Sequence, residues 1–321
     1  MDAVTYMPNT SDTSDTSEIS DPAGSPAILT GEDLSEAVRS TAMLANVYIS
    51  VWGAARTDHA IMDKAKSDAG ATGNVGRAVK NLLAGADGSY RDCKGAYAAV
   101  RNHHYAITLP WVADADRMRG PRLLPNMLFD KYMAEMSRLK RVALAALDKF
   151  IAEYPDAVNQ ARINLGALAD ANYPTPDEVR AAFKVSFDFE PIAAGSLFKG
   201  LPDAMLDKLA RGLASKQARM AASASAAMWE QVRERVNHMV DRLSDNEATF
   251  RNSTIENVRE LLALIPGWNV ALDPRAAEIV GDIERMLSGV DAPNLRKSDE
   301  LRAEIADRAR SVAEKLNAWG L

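Results

Sequence analysis

Three arginines, Arg117, Arg119 and Arg122, fall within the stretch RMRGPRLLP, just ahead of a strongly helical run. Guanidinium groups present planar N–H donors that suit phosphate and carboxylate. The same spacing suits a partner-docking loop or plain solvated punctuation, and all three readings stay open on the sequence. The segment from Arg91 to Arg141 holds ten Lys and Arg, Lys131 among them, against five acids. A second cationic set follows at Lys208, Arg211, Lys216 and Arg219, with no acid between the first and the last. At helical pitch these four cover an arc of about 140°, centred away from the Leu206, Leu209 and Leu213 stripe. Such an arc is either a solvated helix face or a surface that tracks phosphates. Tyr97, Tyr105 and Trp111 lie near the first set in sequence, and exposed aromatics would favour nucleic acid by stacking on bases. The candidate nucleic-acid or partner-binding residues are thus Arg117, Arg119, Arg122, Lys131, Lys208, Arg211, Lys216 and Arg219.

No catalytic, cofactor or metal pattern stands beside them. GNVGRAV has two glycines of a phosphate turn but neither the preceding strand nor the third glycine, and no GxxxxGK[ST] occurs. His103 and His104 are adjacent, so they do not share a helix face, and His59 and His238 are isolated. Cys93 has Lys94 beside it but no partner base, so a buried thiol is the expectation. AGSLF is not the G-x-S-x-G of a nucleophile elbow. An enzyme site built from distant carboxylates would leave no local mark, and no acid/base pair can be named. The expectation is a non-enzymatic chain without cofactor or metal.

One cysteine in 321 residues excludes an internal disulfide framework and fits a reducing cytoplasm. No apolar run is long enough to cross a bilayer, and the N-terminus has no signal-peptide pattern. The net charge of −6 is uneven. Residues 1–36 carry eight acids and no Lys or Arg, which leaves a body with 38 basic and 36 acidic residues. The acidic stretch serves solubility, or shields a basic surface of the same chain.

Three short runs alternate with a period of two: NVYISVW, YAITL and FKVSFDFE. They predict one small three-stranded sheet with a solvated face. Nearly everything else predicts helix. TDHAIMDKAKSDA and NVGRAVKNLLAG form short helices, and residues 89–103 another. A long helix from Asn126 breaks or kinks at Pro155, and Asp177 and Glu178 open a short one. A second long helix spans about 203–244, with the small-residue patch AASASAA suited to close approach of a partner helix. Three more follow: one capped by Ser253 and Glu256 and stopped at Pro266-Gly267, one opening at Pro274, and one over DELRAEIADRARSVAEKLNAWGL. Residues 1–29 are too polar to bury a core and predict disorder, and Thr30 caps the first helix. The expected fold class is mainly α with a small β-sheet (α+β). An α+β domain spans 30–200, and a long antiparallel helical hairpin or bundle spans 201–321.

VYISVWGAAR, ITLPW followed by GPRLLP, NYPTPDEVRAAFKVSFDFEPI and NSTIENVRELLALIPGWNVALDP occur in that order over residues 34–315. Together they resemble an uncharacterised family of phages, prophages and integrative mobile elements, often encoded near MoxR-type AAA+ ATPase, von Willebrand A-type and recombination genes. The segment Trp111…Arg122-Leu123-Leu124-Pro125 matches a recurring element of that family, which singles out Arg122 for either a structural or a ligand role. The resemblance implies a phage or mobile-element accessory protein in a bacterial cytoplasm. It would act as a helical assembly module with itself or an AAA+ ATPase in DNA metabolism. The alternative is a nucleic-acid-binding protein, for single-strand binding or annealing, working through its Arg/Lys faces.

Overall fold

A computed structural model describes residues 31–73, 76–112, 120–169, 172–194, 202–245 and 252–319. The acidic stretch 1–29, the Thr30 cap, Arg117 and Arg119 lie outside the described residues. Helix accounts for 71% of the structure, beside a small antiparallel sheet, and helical hairpins fill the C-terminal half.

Helix α1 (Gly31–Thr41) runs directly into strand β1 (Ala42–Ser50). β1 is central. It pairs with β5 (Arg122–Pro125) on one side, Ala45 opposite Arg122, and with β6 (Lys184–Glu190) on the other, Val47 opposite Phe187. β4 (Leu109–Pro110) completes the order β4-β5-β1-β6. β6 alternates as its sequence predicts: Val185, Phe187 and Phe189 are half-buried, while Lys184, Ser186, Asp188 and Glu190 are exposed. Helices α3 (Gly88–Ile107) and α4 (Phe129–Leu165) pack together beneath the apolar face, and Phe129 and Tyr132 meet the Phe189 ring edge-on.

Several expectations are corrected. The sheet has four strands, not three, because YAITL is mostly helix. Tyr90, Cys93, Tyr97, Val100, His104 and Ile107 are buried at spacings of three and four, so α3 continues to Ile107 and only Leu109 and Pro110 extend. The true neighbour of β1 is RLLP, whose four residues are all buried and show no alternation. NVGRAVKNLLAG is not a helix among its described residues. Its Val79–Asn81 segment (β3) pairs with Ala55–Thr57 (β2), and the Lys80–Asp58 ion pair at 3.0 Å holds the hairpin. Helix α2 (His59–Ala69) lies between them as predicted. Pro155 does not interrupt α4, which runs for 37 residues. Only one carbonyl loses its helical donor there, and buried Phe150, Tyr154, Ala157 and Val158 clamp both sides.

Helix α5 (Pro176–Ala182) opens on a complete capping box, in which the Thr175 N–H donates to Glu178 Oε2 at 2.7 Å. After β6 comes α6 (Asp203–Ser244), 42 residues and about 63 Å long. Helices α7 (Asn252–Leu262), α8 (Ile265–Trp268), α9 (Arg275–Leu287), α10 (Ala292–Lys297) and α11 (Asp299–Ala318) assemble around its second half. Ser253 lies inside α7 rather than capping it, and Pro266-Gly267 forms the one-turn α8 instead of a stop. α10 is an addition that the sequence did not suggest, capped by Asp291 accepting from the Asn294 N–H at 2.7 Å.

The buried side chains form one core from Leu34 to Leu316. The N-terminal and C-terminal halves of the described residues are pinned together at α8. The Trp268 indole N–H donates to the Ile107 carbonyl at 2.8 Å. Gly267 sits so close to Leu128 that a Cβ there would meet three side-chain carbons at 2.8–3.1 Å.

Candidate interaction surfaces

The two halves of α6 have different surroundings. From Gln217 onward the helix has a buried face, with Ala221, Ala224, Met228, Val232, Val236 and Met239 in the core. From Asp203 to Lys216 no side chain is buried. Met205 keeps 52% of its surface exposed and Leu209 38%. The small-residue patch serves close approach within the chain on one face, where Ala221, Ala224 and Ala227 are buried, while Ala222 and Ala226 on the other face are exposed.

A polar node marks the change. The Gln217 amide oxygen accepts from Ser35 Oγ at 2.8 Å and from Arg39 Nη1 at 3.1 Å, and its Nε2 donates to the Ala193 carbonyl at 2.6 Å. These bonds fasten α1 to α6 just where the exposed half begins. Between the two helices lies an open cleft of about 660 Å³, lined by Asp33, Glu36, Arg39, Asp207, Ala210, Arg211 and Ala214.

Lys208, Arg211, Lys216 and Arg219 are all exposed on α6. Arg211 Nε reaches the Asp207 carbonyl at 3.3 Å and Arg219 Nη1 reaches Ser215 Oγ at 3.0 Å. Among the described residues none of the four forms an ion pair. Other helices neutralise their cations locally, as in Arg138–Glu135, Arg308–Glu304 and Arg310–Asp307. The four charges span about 16 Å of helix with no ion pair among the described residues.

Of the remaining predicted residues, Arg117 and Arg119 lie outside the described residues, and Lys131 and Arg122 sit on other elements. Lys131 is exposed on α4. Arg122 is only 7% exposed, because β5 carries it under the end of α3. Its Nε donates to Thr108 Oγ1 at 2.7 Å and its Nη2 to the Thr108 carbonyl at 2.6 Å. Thr108 Oγ1 in turn donates to the His104 carbonyl at 2.6 Å. The guanidinium lies over the Tyr105 ring, 4.8 Å from its centroid. Burial lowers its pKa to about 10, so it stays charged at neutral pH. Arg122 therefore caps backbone at the end of α3, a role that needs tertiary contacts and leaves no local signal. One wall of it borders a cleft of about 400 Å³, shared with Arg101, His104, Tyr105 and the Asn46–Ile49 segment of β1.

Burial shifts the titratable groups of this region. Desolvation lowers the His104 pKa to about 4, helped by Arg122 and His103, and its Nδ1 shares a 2.9 Å hydrogen bond with the Tyr132 hydroxyl. Burial pushes the Cys93 thiol up to about 11, so it is not a thiolate at neutral pH. Among the described residues, no three His, Cys, Asp or Glu side chains gather closely enough to hold a metal ion. No helix among them is long and apolar enough to cross a membrane. No family model, curated protein or solved structure matches the chain.

Proposed function

We propose that the chain is a non-enzymatic accessory protein of phage or mobile-element type. In this reading it works in the cytoplasm of a bacterial host and docks an AAA+ ATPase of DNA metabolism through the first half of α6. One observation supports this most: residues 203–216 extend as helix with no side chain fully buried, yet keep Leu206, Leu209 and Leu213 on one side and, on another, cations that form no ion pair among the described residues. A helical segment draws most of its stability from packing an apolar face, so this one gains by being covered. The cations would select an acidic surface and speed encounter with it.

The second reading is nucleic acid, and it is supported by the exposure of Lys208, Arg211, Lys216 and Arg219, which form no ion pair among the described residues. The two separate cleanly. Substitution K208E/R211E/K216E/R219E touches only exposed side chains, so the fold should tolerate it. Binding of the full chain to a MoxR-type AAA+ ATPase should weaken at least about tenfold in this variant. Unchanged binding, or none by the wild type, would overturn the ATPase reading. Fluorescence anisotropy with a single-stranded oligonucleotide tests the alternative, which requires affinity that falls steeply with salt.

A further inference from the structure

The sheet has two edges of different character. β4 is two residues long and lies against α6, whereas β6 is seven residues long and, among the described residues, pairs only with β1. Which peptide groups of β6 point outward follows from the registers. The Trp111 N–H donates to the Pro121 carbonyl, which continues the pairing of Leu109 with Leu123. Pro121 and Leu123 therefore face β4, and Arg122 and Leu124 face β1. Opposite them Met43 and Ala45 face β5, so Leu44, Asn46, Tyr48 and Ser50 face β6. On β6 this assigns Lys184, Ser186, Asp188 and Glu190 to the β1 ladder, and turns the peptide groups of Val185, Phe187 and Phe189 outward. The Phe189 N–H agrees: it donates to the neighbouring Asp188 carboxylate at 3.0 Å rather than to β1.

We propose that β6 pairs antiparallel with β6 of a second copy of this chain about a two-fold axis at Phe187, joining the two sheets. The register is self-complementary. Phe187 faces Phe187, and Val185 faces Phe189 in both directions, which aligns all three outward peptide groups in about six backbone hydrogen bonds. On the solvated face, Lys184 of each copy comes opposite Glu190 of the other. On the apolar face, Phe187, covered from one side by the Lys140 ammonium 5.4 Å above its ring, meets its own counterpart. Leu144, one turn further along α4 and 42% exposed, widens that apolar margin. A shift of one residue would oppose outward groups to inward ones and separate the charges, so the same residues discourage other pairings. The Asp188 carboxylate is exposed and returns to water when the second copy takes over the Phe189 N–H. This surface shares no residue with α6, so its failure leaves the ATPase reading intact, and the reverse.

The experiment is sedimentation equilibrium of the full chain. The expected wild-type result is a species of twice 34.8 kDa, with a dissociation constant of tens of micromolar or tighter, roughly. Substitution K184E alone, or E190K alone, places like charges opposite each other and should weaken dimerisation at least about tenfold. K184E/E190K should restore it. That rescue cannot arise within one strand, where the two side chains are about 20 Å apart. Circular dichroism should show the same helical signal in all four proteins. A wild type that stays monomeric at about 100 μM, single substitutions without effect, or a double variant that fails to recover would each overturn the pairing.

Discussion

Trp268→Ala is expected to lower the unfolding free energy by about 3–5 kcal/mol, the largest effect of any single substitution proposed here. The indole is fully buried in α8, where the helical C-terminal half meets the end of α3. Its truncation leaves a cavity that the surrounding Leu128, Ile265 and Ile107 cannot fill without moving backbone. It also strips the Ile107 carbonyl of its indole donor, at the exposed end of the α3 hydrogen-bond ladder. Trp268→Phe separates the two contributions. It keeps most of the apolar contact and loses the N–H, so a cost of about 1–3 kcal/mol is expected. Urea denaturation followed by circular dichroism measures both. A loss below about 1 kcal/mol for the alanine variant would mean that α8 does not fasten the helical half to the sheet.

Acid is expected to destabilise the fold through His104. The folded site holds a neutral imidazole, which takes a proton only near pH 4, whereas the unfolded chain takes it near pH 6.5. Above pH 6.5 both states are neutral and nothing is lost. As pH falls from 6.5 towards 4 the unfolded state gains protons that the folded state refuses, so stability falls, by about 3 kcal/mol in total. The groups facing the ring reinforce the direction: Arg122 and His103 both repel an imidazolium, and the Tyr132 hydroxyl is bonded to Nδ1. Carboxylates also titrate over this range, so the comparison is with His104→Gln, which cannot be protonated. Between pH 7 and pH 4.5 the wild type should lose about 2–3 kcal/mol more than the variant. Parallel losses would show that His104 is protonated in the fold at no cost.

The features legible in the sequence were those with long or regular patterns. The helix at 203–244 and the alternation of β6 needed no tertiary information, because periods of 3.6 and 2 repeat many times in each. The failures are short segments whose partners are remote. YAITL has three apolar residues at a period of two, but Ile107 also ends the helical stripe that begins at Tyr90, and packing on α4 decides for helix up to that residue. RLLP is buried on all sides and carries no period at all. Val79–Asn81 is a strand only because Ala55–Thr57 is there to pair with it. At the candidate surface, the common arc of Lys208, Arg211, Lys216 and Arg219 was readable from spacing. That α6 would have no fully buried side chain before Gln217 was not, since it depends on how α1 and α11 pack along it. Arg122 looked like its neighbours in sequence and proved to be buried, because Thr108 and Tyr105 meet it only in the fold.

The proposed docking through α6 is tested most directly by hydrogen–deuterium exchange of the full chain, alone and with the AAA+ ATPase. The account predicts that the amides of residues 203–216 exchange readily in the isolated chain and slow at least about tenfold on addition of the ATPase. Residues 221–243, already packed, should change little. Protection that appears elsewhere while 203–216 remains unchanged would contradict it.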